Sequence, residues 1–303
     1  MGRELVLQLS AEGCSVATCD LNGGTVAATG RSAMKTAPAG TRVTSHVCDV
    51  SDEGQVLGFR DEVMRQHEAD HINLLFNNAA VGFGGASFIT GDRAEWERTF
   101  AICWGGVYNC SRAFVPLLVA SKEGYLVNTS SLNGFLASMG TGAPHTAYST
   151  AKFAVKGFTE SLIDDFLANA PHVKVAVVMP GHVGTDIVAN SRIVHGQPDP
   201  SAMSDDQLEV LRADLSRWGL PANDAPVEKL GELMRALEDG FRDNAPLSAA
   251  DAATIILDAI RARRWRILVG EDARSVDAEV RANPEAAYDG LIVERIQKSN
   301  AAI

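Results

Sequence analysis

The stretch MGRELVLQLSAEGCSVATCD, residues 1–20, sets the architecture. Leu5, Val6, Leu9 and Ala11 line one face at helical spacing. Gly13 stops the pattern, and Cys14–Cys19 reads as a short buried strand ending at Asp20. Helix and strand then alternate along the rest of the chain. Strand-like runs recur at 14–20, 42–49, 72–79, 124–131, 173–181 and 265–271, with helical patterns at 52–68, 93–120, 147–169 and 248–262. Short apolar strands separated by amphipathic helices predict an α/β fold: a doubly wound, mostly parallel sheet covered on both faces, in three layers. Crossovers between its strands are expected to be right-handed.

Residues 187–247 break this rhythm. They hold the turns QPDP and GLPANDAP around helical segments near 204–217 and 226–240, in which Leu208, Leu211 and Leu215, then Leu230, Leu233 and Leu237, repeat at helical spacing. The expected organisation is one catalytic domain over 1–271, with the helical insert 187–247 as a substrate lid or a docked helical pair. A C-terminal tail, 272–303, would pack on that domain or on a subunit interface.

The chain has 303 residues, 46% of them apolar and 21% charged, enough for a thick core. A net charge of -11, with RARRWR at 261–266 as the one basic block, argues against nucleic acid or an anionic membrane as partner. No run is long and apolar enough to span a bilayer, and no signal peptide is visible. Cys14, Cys19, Cys48, Cys103 and Cys110 lack metal-type spacing and sit mostly in apolar runs. They read as reduced core thiols, which suits a cytoplasmic protein with no metal centre.

The reactive signal is TAYSTAKFAV at 146–155. Tyr148 and Lys152 stand four residues apart at the start of a predicted helix, so their side chains share a face. A phenol of ordinary pKa near 10 is a poor base at neutral pH, and a nearby ammonium is expected to lower it. Such a pair can move a proton to or from a substrate oxygen.

Six motifs in order then resemble the short-chain dehydrogenase/reductase family, in its one-domain form: Asp20 after a strand, CDV at 48–50, NNAA at 77–80, NTSS at 128–131, YSTAK at 148–152 and PGHVGT at 180–185. The resemblance implies a Rossmann-type fold and a catalytic set of Ser131, Tyr148 and Lys152. In that set Ser131 bonds the substrate oxygen, Tyr148 is the general acid/base, and Lys152 lowers the tyrosine pKa and holds the nicotinamide ribose. It further implies cofactor contacts from Gly2, Asp20, Asp49, Val50, Asn77, Ala79, Tyr148, Lys152, Pro180, Gly181, Val183 and Thr185. A carboxylate at Asp20 would accept the ribose hydroxyls and repel a 2′-phosphate, so NAD is expected over NADP.

Three departures from the family pattern stand out. Cys103 falls where the family has an asparagine that bends the helix, and Gly105 and Gly106 beside it would loosen that helix by up to about 1 kcal/mol each relative to Ala. The Ser131–Tyr148 interval carries SMGTGAPHT, expected to lengthen a loop bordering the substrate; His145 reads there as a loop residue, and His182, after the PG turn, as a lone solvated histidine. Gly2 aligns with the last glycine of the family's phosphate-binding turn, so the first strand and leading glycines are expected to be missing, with weak dinucleotide binding as the consequence.

The combined expectation is an NAD-dependent oxidoreductase interconverting a secondary alcohol and a ketone, its substrate bulky or hydrophobic. By the resemblance it would be a homodimer or homotetramer through the helices at 93–120 and 147–169. The rival readings are an epimerase or dehydratase of the same fold, and a cofactor-impaired structural or regulatory homologue.

Overall fold

Every strand pairing in the described part of the protein is parallel. The structure, a computed structural model, describes residues 1–137, 144–217 and 222–288. The order is α1 (Gly2–Ala11), β1 (Val16–Asp20), α2 (Gly23–Met34), β2 (Val43–Val47), α3 (Glu53–His67), β3 (Leu74–Asn77), α4 (Arg93–Phe100), α5 (Gly106–Ala120), β4 (Gly124–Thr129) and α6 (Thr146–Asn169). It continues with β5 (Val173–Pro180), β6 (Val183–Gly184), α7 (Ile187–Val194), α8 (Asp205–Arg217), α9 (Val227–Asp243), β7 (Leu247–Ser248), α10 (Ala249–Arg261), β8 (Arg266–Val269) and α11 (Glu271–Ala282). The predicted helices and strands appear within a few residues of their expected bounds.

Strands β3, β4, β5 and β8 form one ladder in that order, while β1 pairs with β2 alone. Alternation along β4 divides the layers: Tyr125 and Val127 pack with α1 and α10, through Leu5, Leu9, Ile256 and Leu257, and Leu126 packs with Leu118 and Phe166 on the opposite side. All six residues of β4 are buried, as a strand covered on both faces requires. Among the described residues no strand is hydrogen-bonded between β1 and β3. Both strands line one cavity of about 2500 Å³.

Several features escaped the sequence pattern, among them β6, α7 and β7. Helix α2, GGTVAATGRSAM, buries little beyond Val26, Gly30 and Ala33, and it starts where the Asn22 side chain accepts the Gly24 and Thr25 N–H groups. The helix expected over 93–120 is broken by a π-helical turn at Ala101–Gly105. Gly106 follows it because a Cβ there would lie 2.6 Å from Val50 Cγ2.

The 187–247 segment builds its own apolar cluster from Leu208, Leu215, Leu230 and Met234 on α8 and α9. The buried Arg192–Glu238 ion pair, 2.8 Å, ties α7 to α9. All five cysteines are unbridged thiols. Among the described residues no helix is long and apolar enough to cross a membrane.

Candidate active site

Strand β4 ends at Thr129, and the chain turns at Ser130 and Ser131 into a short 3₁₀ turn. The Ser131 hydroxyl accepts the Asn133 N–H at 3.1 Å, the local capping bond a serine often makes after a strand. It also neighbours the Tyr148 phenol, whose pKa it draws down. Residues 138–143 of the intervening SMGTGAPHT loop lie outside the described residues.

Tyr148 and Lys152 project from the first turns of α6, and the Lys152 side chain is among the most deeply buried in the molecule. Its Nζ donates to the Thr129 carbonyl at 2.9 Å and stands 5.4 Å from the centre of the Tyr148 ring. The electrostatics differ from the sequence expectation. Burial pushes the Tyr148 phenol well above its ordinary value, the neighbouring Cys103 adds to this, and the Ser131 hydroxyl opposes it. Burial also pulls Lys152 below its ordinary value. Desolvation disfavours both charged forms and dominates at each group.

Cys103 sits on the π-helical turn, fully buried, and its thiol donates to the Val81 carbonyl at 3.2 Å. The bend expected of an asparagine is present with a cysteine, held by one weak S–H bond. Asn77 closes β3, and its amide donates to Asn128 Oδ1 at 2.8 Å and Ser111 Oγ at 3.0 Å, locking β3, β4 and α5 together.

At the far end, β1 delivers Asp20, whose Oδ1 accepts the Asn22 N–H at 2.8 Å. The Asp49 carboxylate is engaged by Arg98 at 2.7 Å and by the Ser51 hydroxyl at 2.6 Å. Burial alone would raise its pKa, and these bonds outweigh that and hold it below the ordinary carboxylate value. A Cβ on Gly2 would lie 2.8 Å from Asn78 Nδ2, so helix α1 begins flush against the end of β3.

The turn after β5 holds what the sequence could not show. The His182 N–H donates to Asp272 Oδ2 at 2.6 Å, and that carboxylate lies where a Cβ on Gly181 would stand. His182 also donates Nε2–H to the Phe241 carbonyl at 2.7 Å and stacks on the Phe241 ring at 4.2 Å. Asp272 on α11 and Phe241 on α9 are 90 and 59 residues away, and no local pattern links them to the turn. His145, read as a loop residue, is buried against Tyr148 at 4.8 Å between ring centres.

One cavity of about 2500 Å³ runs past all these groups. Gly2, Asp20, Asp49, Val50, Asn77 and Ala79 line it, as do Ser131, Tyr148, Lys152, Pro180, Gly181, Val183 and Thr185. The lining carries the Asp20 and Asp49 carboxylates and the Ser131 and Tyr148 hydroxyls. No group of described residues could hold a metal ion.

Residues 1–194 match the family described as short chain dehydrogenase. The chain belongs to that family. SadH of Mycobacterium tuberculosis, an oxidoreductase by name, is 34% identical over 200 residues, covering 65% of this chain and 68% of that protein. A short chain dehydrogenase/reductase from Burkholderia phymatum, solved in complex with NAD, superposes with a TM-score of 0.72 at 26% identity, over 94% of this chain and 89% of that one. A metagenomic short-chain oxidoreductase solved with NADP superposes at 0.52 with 28% identity, over 67% and 88%. As a short-chain dehydrogenase, the protein is an NAD(P)-dependent oxidoreductase.

Proposed function

We propose that this short-chain dehydrogenase interconverts a secondary alcohol and a ketone with NAD, Tyr148 acting as general acid/base. The observation that carries the reading is that Ser131, Tyr148 and, one helical turn on, the buried Lys152 line one cavity, which Asp20 lines as well. A bound nicotinamide would supply or take the hydride. The chain's own residues handle the oxygen. As charge builds on a carbonyl oxygen, the Ser131 and Tyr148 hydroxyls stabilise it and Tyr148 gives it the proton. In the reverse direction Tyr148 takes the alcohol proton. Lys152, held on the Thr129 carbonyl, is positioned to bond a ribose hydroxyl.

Asp20 supports NAD over NADP, because a carboxylate at that strand end repels a 2′-phosphate. Pro180, Gly181, Val183 and Thr185 would receive the nicotinamide carboxamide, Gly2 at the start of α1 the pyrophosphate, Asp49 and Val50 the adenine, and Asn77 and Ala79 the floor. The α7–α9 segment would act as a lid. Exposed Tyr108, Phe153 and Leu167 on α5 and α6 support a homodimer or homotetramer through those helices.

NADH and NADPH fluorescence titration, followed by an alcohol and ketone screen at 340 nm, tests this. NADH should bind at least tenfold tighter, and Asp20→Ala should erase the difference. Equal binding of both nucleotides by the wild type would remove the NAD assignment. A second reading, a cofactor-poor regulatory homologue, draws on the unpaired edges of β1 and β3 beside the cofactor cavity. Absence of both binding and turnover would favour it.

A further inference from the structure

The His145 ring packs against two others, both tilted to it: Tyr148 at 4.8 Å and 36°, and Phe83 at 5.5 Å and 50°. Both supporting segments are held by hydrogen bonds. Next to His145, the Thr146 N–H donates to the Ala86 carbonyl at 2.9 Å, and Trp96 Nε1–H donates to Thr146 Oγ1 at 3.1 Å. The Phe83 carbonyl accepts from His195 Nε2 at 2.8 Å. The rings form a preformed surface that loses little side-chain freedom when a ligand arrives. Burial pulls His145 down to about 4, so the ring is neutral at physiological pH.

The charges around the cavity narrow the ligand. Each arginine lining it has an acidic partner: Arg3 with Glu4, Arg42 with Glu68, Arg98 with Asp49, and Arg242 with Asp186. Lys152 is bonded to the Thr129 carbonyl. The lining also includes the apolar Ile187, Val194, Leu237 and Phe241, with the Asp272 carboxylate among them. Among the described residues every Arg and Lys side chain on the lining is thus engaged, so a substrate carboxylate or phosphate would meet no free side-chain cation and its desolvation would go uncompensated.

We infer that His145 and Phe83 form a specificity wall that selects an uncharged substrate carrying a flat, apolar group on its carbonyl carbon. The inference rests on the proposed ketone/alcohol reaction and deepens it by naming the substrate class. His145 acts by stacking, and its proton takes no part.

Three ketones separate the properties: acetophenone is flat and uncharged, cyclohexyl methyl ketone has the same outline without the flat ring, and benzoylformate adds a carboxylate at the carbonyl. With NADH, kcat/KM for acetophenone should exceed that for cyclohexyl methyl ketone by about five- to tenfold, as aromatic stacking provides. It should exceed that for benzoylformate by at least about a hundredfold, the scale expected for an unpaired buried charge. In His145→Leu the acetophenone preference over the cyclohexyl ketone should collapse toward unity, through KM, and His145→Phe should restore it. Phe83→Leu repeats the test from the other ring, and a melting curve for each variant identifies any that fails to fold. Ligand-observed NMR of acetophenone binding gives a readout independent of turnover. If no ketone is reduced but acetophenone binds and His145→Leu abolishes the signal, the reaction assignment falls and the wall stands. If ketones are reduced with benzoylformate equal to acetophenone, or with His145→Phe as impaired as His145→Leu, the wall is overturned and the reaction stands.

Discussion

Lys152 Nζ stands 5.4 Å from the centre of the Tyr148 ring and donates to the Thr129 carbonyl. Before cofactor binds, the lysine is therefore anchored to the end of β4, and burial keeps the phenol protonated. Because the phenol pKa is raised, its proton-donating form persists through and above neutral pH. Ketone reduction should be nearly flat from pH 6 to 9, while alcohol oxidation, which needs the phenolate, should climb with pH. Profiles of kcat/KM in both directions check this; a reduction rate that falls steeply between pH 6 and 8 would contradict it.

Tyr148→Phe removes the transferable proton and keeps the ring. Turnover should drop by about 10²- to 10⁴-fold, the usual range for losing a general acid/base. NADH affinity, read by fluorescence titration, should change by less than about threefold. Lys152→Met should lower both turnover and NADH affinity, since the ammonium serves the phenol and the ribose together. Equal effects of the two substitutions on NADH affinity would argue against separate roles.

Cys103 is sealed on the π-helical turn, with its thiol on the Val81 carbonyl and burial pushing its pKa up. Such a thiol is a poor nucleophile. Iodoacetamide should label it only after denaturation, as peptide mass mapping would reveal. Cys103→Ala should cost about 1–2 kcal/mol in urea unfolding, from the lost weak bond and the small cavity left behind. Rapid labelling of Cys103 in the folded protein would mean that the turn opens.

Periodicity made the main helices and strands legible, and every residue that the order of short motifs named as a site candidate lines the cavity. Helix α2 was not legible because its glycines and alanines give a weak apolar face and one side chain, Asn22, does the capping. The sign of the Tyr148 shift was misjudged for a different reason. Spacing shows that Lys152 shares its face, but not that both groups are withdrawn from water. Asp272 and Phe241 reach the 181–184 turn by tertiary packing of α11 and α9, which leaves no trace in local sequence.

The Arg192–Glu238 pair, both side chains at most 10% exposed, is the internal tie of the α7–α9 segment. Arg192 also donates to the Pro198 carbonyl at 2.7 Å. Arg192→Met should leave Glu238 as an uncompensated buried charge and cost about 3 kcal/mol. The α8–α9 cluster is separate from the sheet's core, so the loss should appear first as faster amide exchange over α7 and α9. Adding Glu238→Met should recover most of it, because the stranded charge goes too. If the double variant is no better than the single one, the pair does not carry the effect.

Asp277 on α11 accepts from Arg266 on β8, with Nη1 to Oδ2 at 2.9 Å, and from Arg281 at 3.1 Å. Burial alone would raise its pKa, and the two arginine hydrogen bonds outweigh that and hold it below the ordinary value. A carboxylate whose folded pKa is depressed binds its proton more readily when unfolded. Its stabilising contribution is therefore complete above the unfolded pKa of about 3.9 and is lost as pH falls through the folded value. With Asp277 10% exposed and Arg266 15%, Asp277→Asn should cost about 3 kcal/mol at pH 7, because Arg266 is left partly buried without its counter-charge. The gap in melting temperature between wild type and Asp277→Asn should be widest at neutral pH and narrow below pH 4. A gap that stays constant from pH 7 to pH 3 would mean that packing, rather than the ion pair, fastens α11 to β8.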